Sequence, residues 1–118
     1  MRLLIAALAL MASACSPMSA QAPDGATTSQ SAEAACAARN GTLQRVGRLQ
    51  SVQCVIAYAD AGKRCTDGDQ CGGDCLLPEG ASVAAGAAAA GVCAPTSNRF
   101  GCATRVEDGK ADATLCID

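Results

Sequence analysis

The sequence predicts a small disulfide-rich α+β fold over residues 31–118, with a short N-terminal helix, two β-hairpins and Cys-stapled loops. Three observations support this fold class. The chain of 118 residues contains nine Cys, and eight of them lie after residue 31. Its large apolar side chains are few, so disulfides are expected to supply stability that a small core cannot. Two segments also carry the turn signals of β-hairpins.

The first element of this domain is a short helix. The segment Ser31–Arg39 is rich in Ala, and Ser29 or Ser31 is suited to cap its N-terminus. The pair Asn40-Gly41 then provides a C-terminal stop. Because an isolated helix of this length is marginally stable, Cys36 is expected to attach it to the rest of the domain.

The first hairpin is predicted from residues 42–46 and 49–58, which flank a two-residue turn at Gly47-Arg48. A Gly at the first turn position suits a type II′ turn. Alternation along the second strand would place Val52 and Cys54 on one face. A Cys36–Cys54 disulfide would then join the helix to this strand.

The second hairpin is predicted around Asp108-Gly109, which is a strong turn signal. This turn places Val106 opposite Ala111 and Cys102 opposite Leu115. Cys116 lies one position further along, so a Cys102–Cys116 disulfide requires a bulge.

All eight Cys of the domain are expected to form disulfides. Cys-Thr-Asp-Gly-Asp-Gln-Cys-Gly-Gly-Asp-Cys, residues 65–75, is rich in Gly and Asp and therefore predicts turns. The Ala/Gly-rich residues 78–91 predict a mobile loop. With no His and no C-x-x-C pair, neither a metal site nor a cofactor is expected. The predicted disulfide residues are Cys36, Cys54, Cys65, Cys71, Cys75, Cys93, Cys102 and Cys116, with the middle four interlaced.

The beginning of the chain predicts a signal peptide over residues 1–14. Arg2 precedes an uncharged apolar run, Leu3 to Ala12, which is too short to span a bilayer. Ala-Ser-Ala then precedes Cys15, and this pattern resembles the lipobox of bacterial lipoproteins, in which the Cys is lipidated. Removing Cys15 from the nine also leaves an even number. The alternative is cleavage after Ala22, which would release a soluble secreted protein.

Residues 15–30 are expected to form a flexible tether behind the lipidated Cys15, because they are rich in Ser, Pro, Ala and Gln and have no hydrophobic period. Ser16, rather than Asp, follows the Cys. In lipoprotein sorting this favours the outer membrane, with the domain facing the periplasm or the cell surface.

Composition excludes several function classes. The chain has no His, which removes His-dependent catalysis, and only one Tyr and one Phe. Its net charge of −2 argues against a nucleic-acid partner. The carboxylates of Asp67, Asp69 and Asp74 are interpreted as turn formers. Arg99 and Phe100, in a polar turn, are the candidate partner contact.

From about Cys54 to Asp118 the chain resembles small, uncharacterised cysteine-rich lipoproteins of Gram-negative bacteria. The resemblance rests on Ala-Gly-Lys-Arg-Cys (61–65), Cys-Gly-Gly-Asp-Cys (71–75), Gly-Val-Cys (91–93), Phe-Gly-Cys (100–102), Val-Glu-Asp-Gly (106–109) and Leu-Cys-Ile-Asp (115–118). It implies an envelope location and no defined activity. The expectation is a non-enzymatic lipoprotein that contacts the membrane through its lipid and an envelope protein through its domain. The alternative is an inhibitor of a protease or other hydrolase.

Overall fold

The computed structural model describes residues 25–118, with side chains described from Ser29 onward. The predicted signal peptide, Cys15 and the first part of the predicted tether lie outside these residues. Within the described part of the chain, no helix is long and apolar enough to cross a membrane. The elements are α1 Gly25–Ala37, β1 Gly41–Val46, β2 Ser51–Ile56, β3 Arg64–Cys65, a 3-10 turn Gly68–Gln70, β4 Cys75–Leu76, β5 Gly91–Cys93, β6 Gly101–Ala103, β7 Val106–Glu107, β8 Lys110–Ala111 and β9 Leu115–Ile117.

Helix α1 is present but begins six residues earlier than the sequence predicts. It starts at Gly25, so the prediction of a flexible tether through residue 30 is wrong for residues 25–30. Once a helical nucleus exists, each further residue adds a hydrogen bond, and this lets the helix extend into a weakly helical sequence. The predicted stop is confirmed, because Asn40 adopts a φ of 58° just after the helix.

The first hairpin has a longer turn than predicted. β1 and β2 pair antiparallel from Gly41↔Ile56 to Val46↔Ser51, which leaves a four-residue loop, 47–50, in place of the two-residue turn. The Gln50 side chain donates a hydrogen bond to the Gly47 carbonyl (2.9 Å). Arg45 donates to the Gln50 carbonyl (3.2 Å). These hydrogen bonds stabilise the wider loop.

The core consists of disulfide-bonded Cys together with Val and Ala, and it contains no larger apolar side chain among the described buried residues. Strands β3, β5 and β4 form a three-stranded antiparallel sheet in that order. Three of its residues, Cys65, Cys75 and Cys93, form the buried core cluster together with Val106 of β7. Several of the few large apolar side chains are exposed, among them Leu49, Val52 and Leu115.

The predicted disulfide framework is observed. Cys36 is bonded to Cys54 and Cys102 to Cys116. The middle four Cys form Cys65–Cys75 and Cys71–Cys93, and these two bonds are interlaced, because Cys71 lies between the members of the first pair. The architecture is therefore a small disulfide-rich α+β fold.

The second hairpin confirms the predicted turn and the predicted bulge. Asp108 and Gly109 both have positive φ, 50° and 71°, as a type I′ turn requires. Val106 pairs with Ala111. Residues 104–105 then face residues 112–114, so one strand carries an extra residue. The bulge moves Cys116 directly opposite Cys102, so the predicted Cys102–Leu115 pairing is wrong; Leu115 lies opposite Ala103.

The Ala/Gly-rich loop before β5 is anchored to the second hairpin. Gly86 donates to the Ala111 carbonyl (2.7 Å), and the Ala111 amide donates to Ala87 (2.9 Å). Ala89 donates to the Gly109 carbonyl (2.9 Å). Small side chains allow this close backbone approach, so residues 86–89 are not the mobile loop predicted from their composition.

Candidate functional site

The candidate site is an open groove of about 720 Å³ beside the second hairpin. Its walls come from β4, from residues 94–100, and from strands β6 and β9. Both residues singled out from the sequence as a partner contact, Arg99 and Phe100, line it. The structure adds two exposed side chains of β9, Leu115 and Ile117.

The segment that presents Arg99 and Phe100 is fixed to the first hairpin. The Ser97 amide donates to the Ile56 carbonyl, and the Ile56 amide donates to the Ser97 hydroxyl, both at 2.9 Å. Beyond this anchor, the Asn98 side chain accepts a hydrogen bond from the Phe100 amide (3.0 Å). Local hydrogen bonds of this kind are typical of Asn in turns. They set the position of the two side chains in the groove.

Phe100 is half-buried because its ring lies against the backbone of Gly47. A Cβ at Gly47 would come within 2.5 Å of the ring, so only Gly allows this contact. The φ of Gly47 is also positive, 70°, which independently favours Gly. Phe100 therefore joins the turn of the first hairpin to the groove and leaves part of its ring exposed.

Arg99 is two-thirds exposed and forms an ion pair across the groove wall. Its Nη2 lies 2.9 Å from Oδ1 of Asp74, whose side chain is 19% exposed. A second ion pair, between Arg105 Nε and Asp112 Oδ2, spans 3.8 Å and is exposed on both sides. The carboxylates of Asp74 and Asp112 are thus both paired with arginines that line the groove.

Leu115 and Ile117 form the apolar part of the groove. Leu115 is 61% and Ile117 38% exposed, and alternation places both on one face of β9. Both are among the few large apolar side chains of the domain. The signal that could have identified them is the run Leu-Cys-Ile, which is apolar at every position. The strand that contains this run belongs to a two-stranded ribbon, and such a ribbon cannot bury the side chains on both of its faces.

Of the three predicted turn-forming carboxylates, Asp74 lines the groove, whereas Asp67 and Asp69 do not. Oδ2 of Asp67 accepts a hydrogen bond from the Asp108 amide and Oδ1 accepts one from the Asp69 amide, both at 2.9 Å. These two bonds, the Asp108 bond first, lower the pKa of the Asp67 carboxyl from its ordinary value of 3.8. Asp67 thereby connects the 3-10 turn to the turn of the second hairpin.

The sulfur atoms of Cys65, Cys71 and Cys75 lie within 4.8 Å of one another. All three are disulfide-bonded, however, and a zinc site uses Cys in the thiolate form. In the oxidised chain this cluster is therefore part of the disulfide core.

Comparisons with protein-family models, with curated proteins and with solved structures find no match for this chain.

Proposed function

We propose that the protein is a lipoprotein of the bacterial outer membrane whose disulfide-stabilised domain binds an envelope protein through the groove. The anchor is the lipid on Cys15, and the binding surface is the face formed by Phe100, Leu115 and Ile117. The domain acts as a non-enzymatic binding module.

The observation that carries the binding proposal is the exposed apolar pair on β9. Leu115 and Ile117 line the same groove as the half-buried Phe100 and the two Arg–Asp ion pairs. An apolar centre with a polar rim is the usual anatomy of a protein–protein interface. Aromatic and Arg side chains are also those that most often dominate binding energy.

The disulfides support the same proposal, because they hold the groove in one shape before a partner arrives. Cys102–Cys116 joins β6 and β9, the two strands of its wall. A surface that is already ordered loses less conformational entropy on binding. A small domain can therefore present a specific surface without a large core.

The anchor proposal is supported by the apolar run of residues 3–12, by the lipobox-like residues before Cys15, and by the even number of Cys that follow it. Each buried methylene contributes about 0.8 kcal/mol, so several acyl chains together hold a protein firmly at a membrane.

Binding is tested by charge substitutions in matched positions. Leu115→Asp places a carboxylate in the apolar part of the groove, whereas Val83→Asp changes an apolar residue of 40% exposure outside it. Envelope proteins crosslinked at position 115 in intact cells are identified and purified. We expect L115D to raise the measured Kd by about tenfold or more and V83D to leave it unchanged. Equal effects of the two variants would refute the groove as the binding surface.

The anchor is tested by the intact mass of the protein extracted from membranes. The expected mass is that of an acylated chain beginning at Cys15, and Cys15→Ser is expected to abolish acylation. A soluble, unacylated chain beginning at residue 23 would establish the alternative cleavage and refute the anchor.

A further inference from the structure

The four disulfides differ in how far their members are shielded from solvent. Cys102 and Cys116 are both exposed. Each of the other three disulfides contains at least one buried Cys. Cys36 is buried in Cys36–Cys54, both members are buried in Cys65–Cys75, and Cys93 is buried in Cys71–Cys93. Only Cys102–Cys116, among these four, presents both of its residues to solvent.

The surroundings of Cys102–Cys116 are also different. β6 and β9 form a two-stranded ribbon, and within the described residues neither strand belongs to a larger sheet. The two Cys lie directly opposite each other in the register, with their Cα atoms 3.9 Å apart. A reagent therefore meets this bond at the surface, whereas the bonds of the core lie under packed side chains.

We propose that Cys102–Cys116 is a thiol-exchange site of the folded protein, which accepts two electrons from a dithiol donor while the other three disulfides stay intact. Exposed disulfides are generally the labile ones, since exchange requires a thiolate to reach a sulfur atom. A C-x-x-C motif is not needed, because the bulge in the second hairpin brings the two Cys together from positions 14 apart in the sequence.

The exchange proceeds in two balanced steps. A thiolate of the donor attacks one sulfur of the Cys102–Cys116 bond and forms a mixed disulfide. The S–S electron pair leaves on the other Cys sulfur as a thiolate, which takes a proton from water. The second donor thiolate then attacks the donor sulfur of the mixed disulfide and displaces the remaining Cys as a thiolate, which also takes a proton from water. The donor dithiol ends as a disulfide, and Cys102 and Cys116 end reduced.

Reduction removes the covalent link between the two strands of the groove wall. β9 then stays paired with β6 through backbone hydrogen bonds alone. This site does not depend on the lipid anchor or on the binding role of the groove.

The test uses the isolated full chain in mild detergent, with dithiothreitol as the dithiol. Any free thiol is first blocked with N-ethylmaleimide. The folded protein is then treated with low dithiothreitol for increasing times, alkylated with iodoacetamide, and mapped by peptide mass. We expect Cys102 and Cys116 to become alkylated about tenfold or more faster than the other six Cys. The rate should rise in proportion to dithiothreitol concentration, as direct attack on the folded state requires.

The matched control is the double variant Cys102→Ser/Cys116→Ser, in which the fast phase is expected to vanish. The proposal is overturned if any other disulfide of the wild-type chain is reduced first or at the same rate. It is equally overturned if the fast rate is independent of dithiothreitol concentration, because reduction would then follow unfolding.

Discussion

The Cys36–Cys54 disulfide is expected to be the main attachment of helix α1, and the double variant Cys36→Ala/Cys54→Ala tests this directly. Apart from Cys36, the described side chains of the helix are exposed, so little apolar burial holds the helix in place. An unattached helix of 13 residues is marginal in water. Without the bond, the helix should therefore lose its hydrogen-exchange protection.

The size of the stability loss follows from the loop that the bond closes. The two Cys are 18 residues apart, for which the loop-entropy relation gives about 3 kcal/mol. In a domain of this size, such a loss lowers Tm by roughly 10–20 °C. Scanning calorimetry measures Tm, and hydrogen exchange of peptides covering residues 29–37 measures the helix.

The matched control for this prediction is the double variant Cys102→Ala/Cys116→Ala. These residues are 14 apart, so the same relation again gives about 3 kcal/mol, but the helix should stay protected. If residues 29–37 keep their protection without Cys36–Cys54, or lose it equally in both double variants, the helix is held by other contacts and the reasoning is refuted.

Three further predictions concern the core, the Phe100 contact and the response to acid. Val106→Ala removes two methyl groups from a fully buried side chain. It should lower the free energy of unfolding by about 2 kcal/mol, from transfer and cavity terms together, in a denaturant titration; a loss below about 0.5 kcal/mol would show that the site is not tightly packed. Gly47→Ala should destabilise the domain more than Gly80→Ala, because both Gly have positive φ but only position 47 meets the Phe100 ring; equal losses in thermal unfolding would contradict the contact. The lowered pKa of Asp67 means that its contribution to stability is present above pH 3.8 and is lost as pH falls through the folded-state pKa. Asp67→Asn should remove that part of the acid dependence in pH-resolved unfolding curves, and an unchanged profile would rule out Asp67 as its source.

The parts of the fold that the sequence predicts are those coded by local signals. Asp108-Gly109 has the residues that a type I′ turn requires. The position of this turn predicts that Cys102 and Cys116 lie close together on the two strands. The length of the loop at Gly47 could not be predicted in the same way, because a Gly at that position suits both a two-residue turn and the observed four-residue loop. Both choices place the same residues on each face of the hairpin, so alternation cannot distinguish them.

The three-stranded sheet could not be predicted because its strands are two or three residues long. Segments of that length contain no measurable period. The groove was predicted only in part for a related reason. Arg99 and Phe100 stood out because an aromatic residue in a polar turn is unusual, whereas Leu115 and Ile117 look like ordinary strand residues, and their exposure depends on which tertiary neighbours cover them.

The interlaced pairing of Cys65–Cys75 with Cys71–Cys93 has a consequence for biosynthesis. When a chain is oxidised as it emerges N-terminus first, Cys65 meets Cys71 before either native partner has appeared. Native pairing then demands that such an early bond be broken and reshuffled once Cys93 arrives, so maturation should be accelerated by a disulfide isomerase rather than by an oxidase alone.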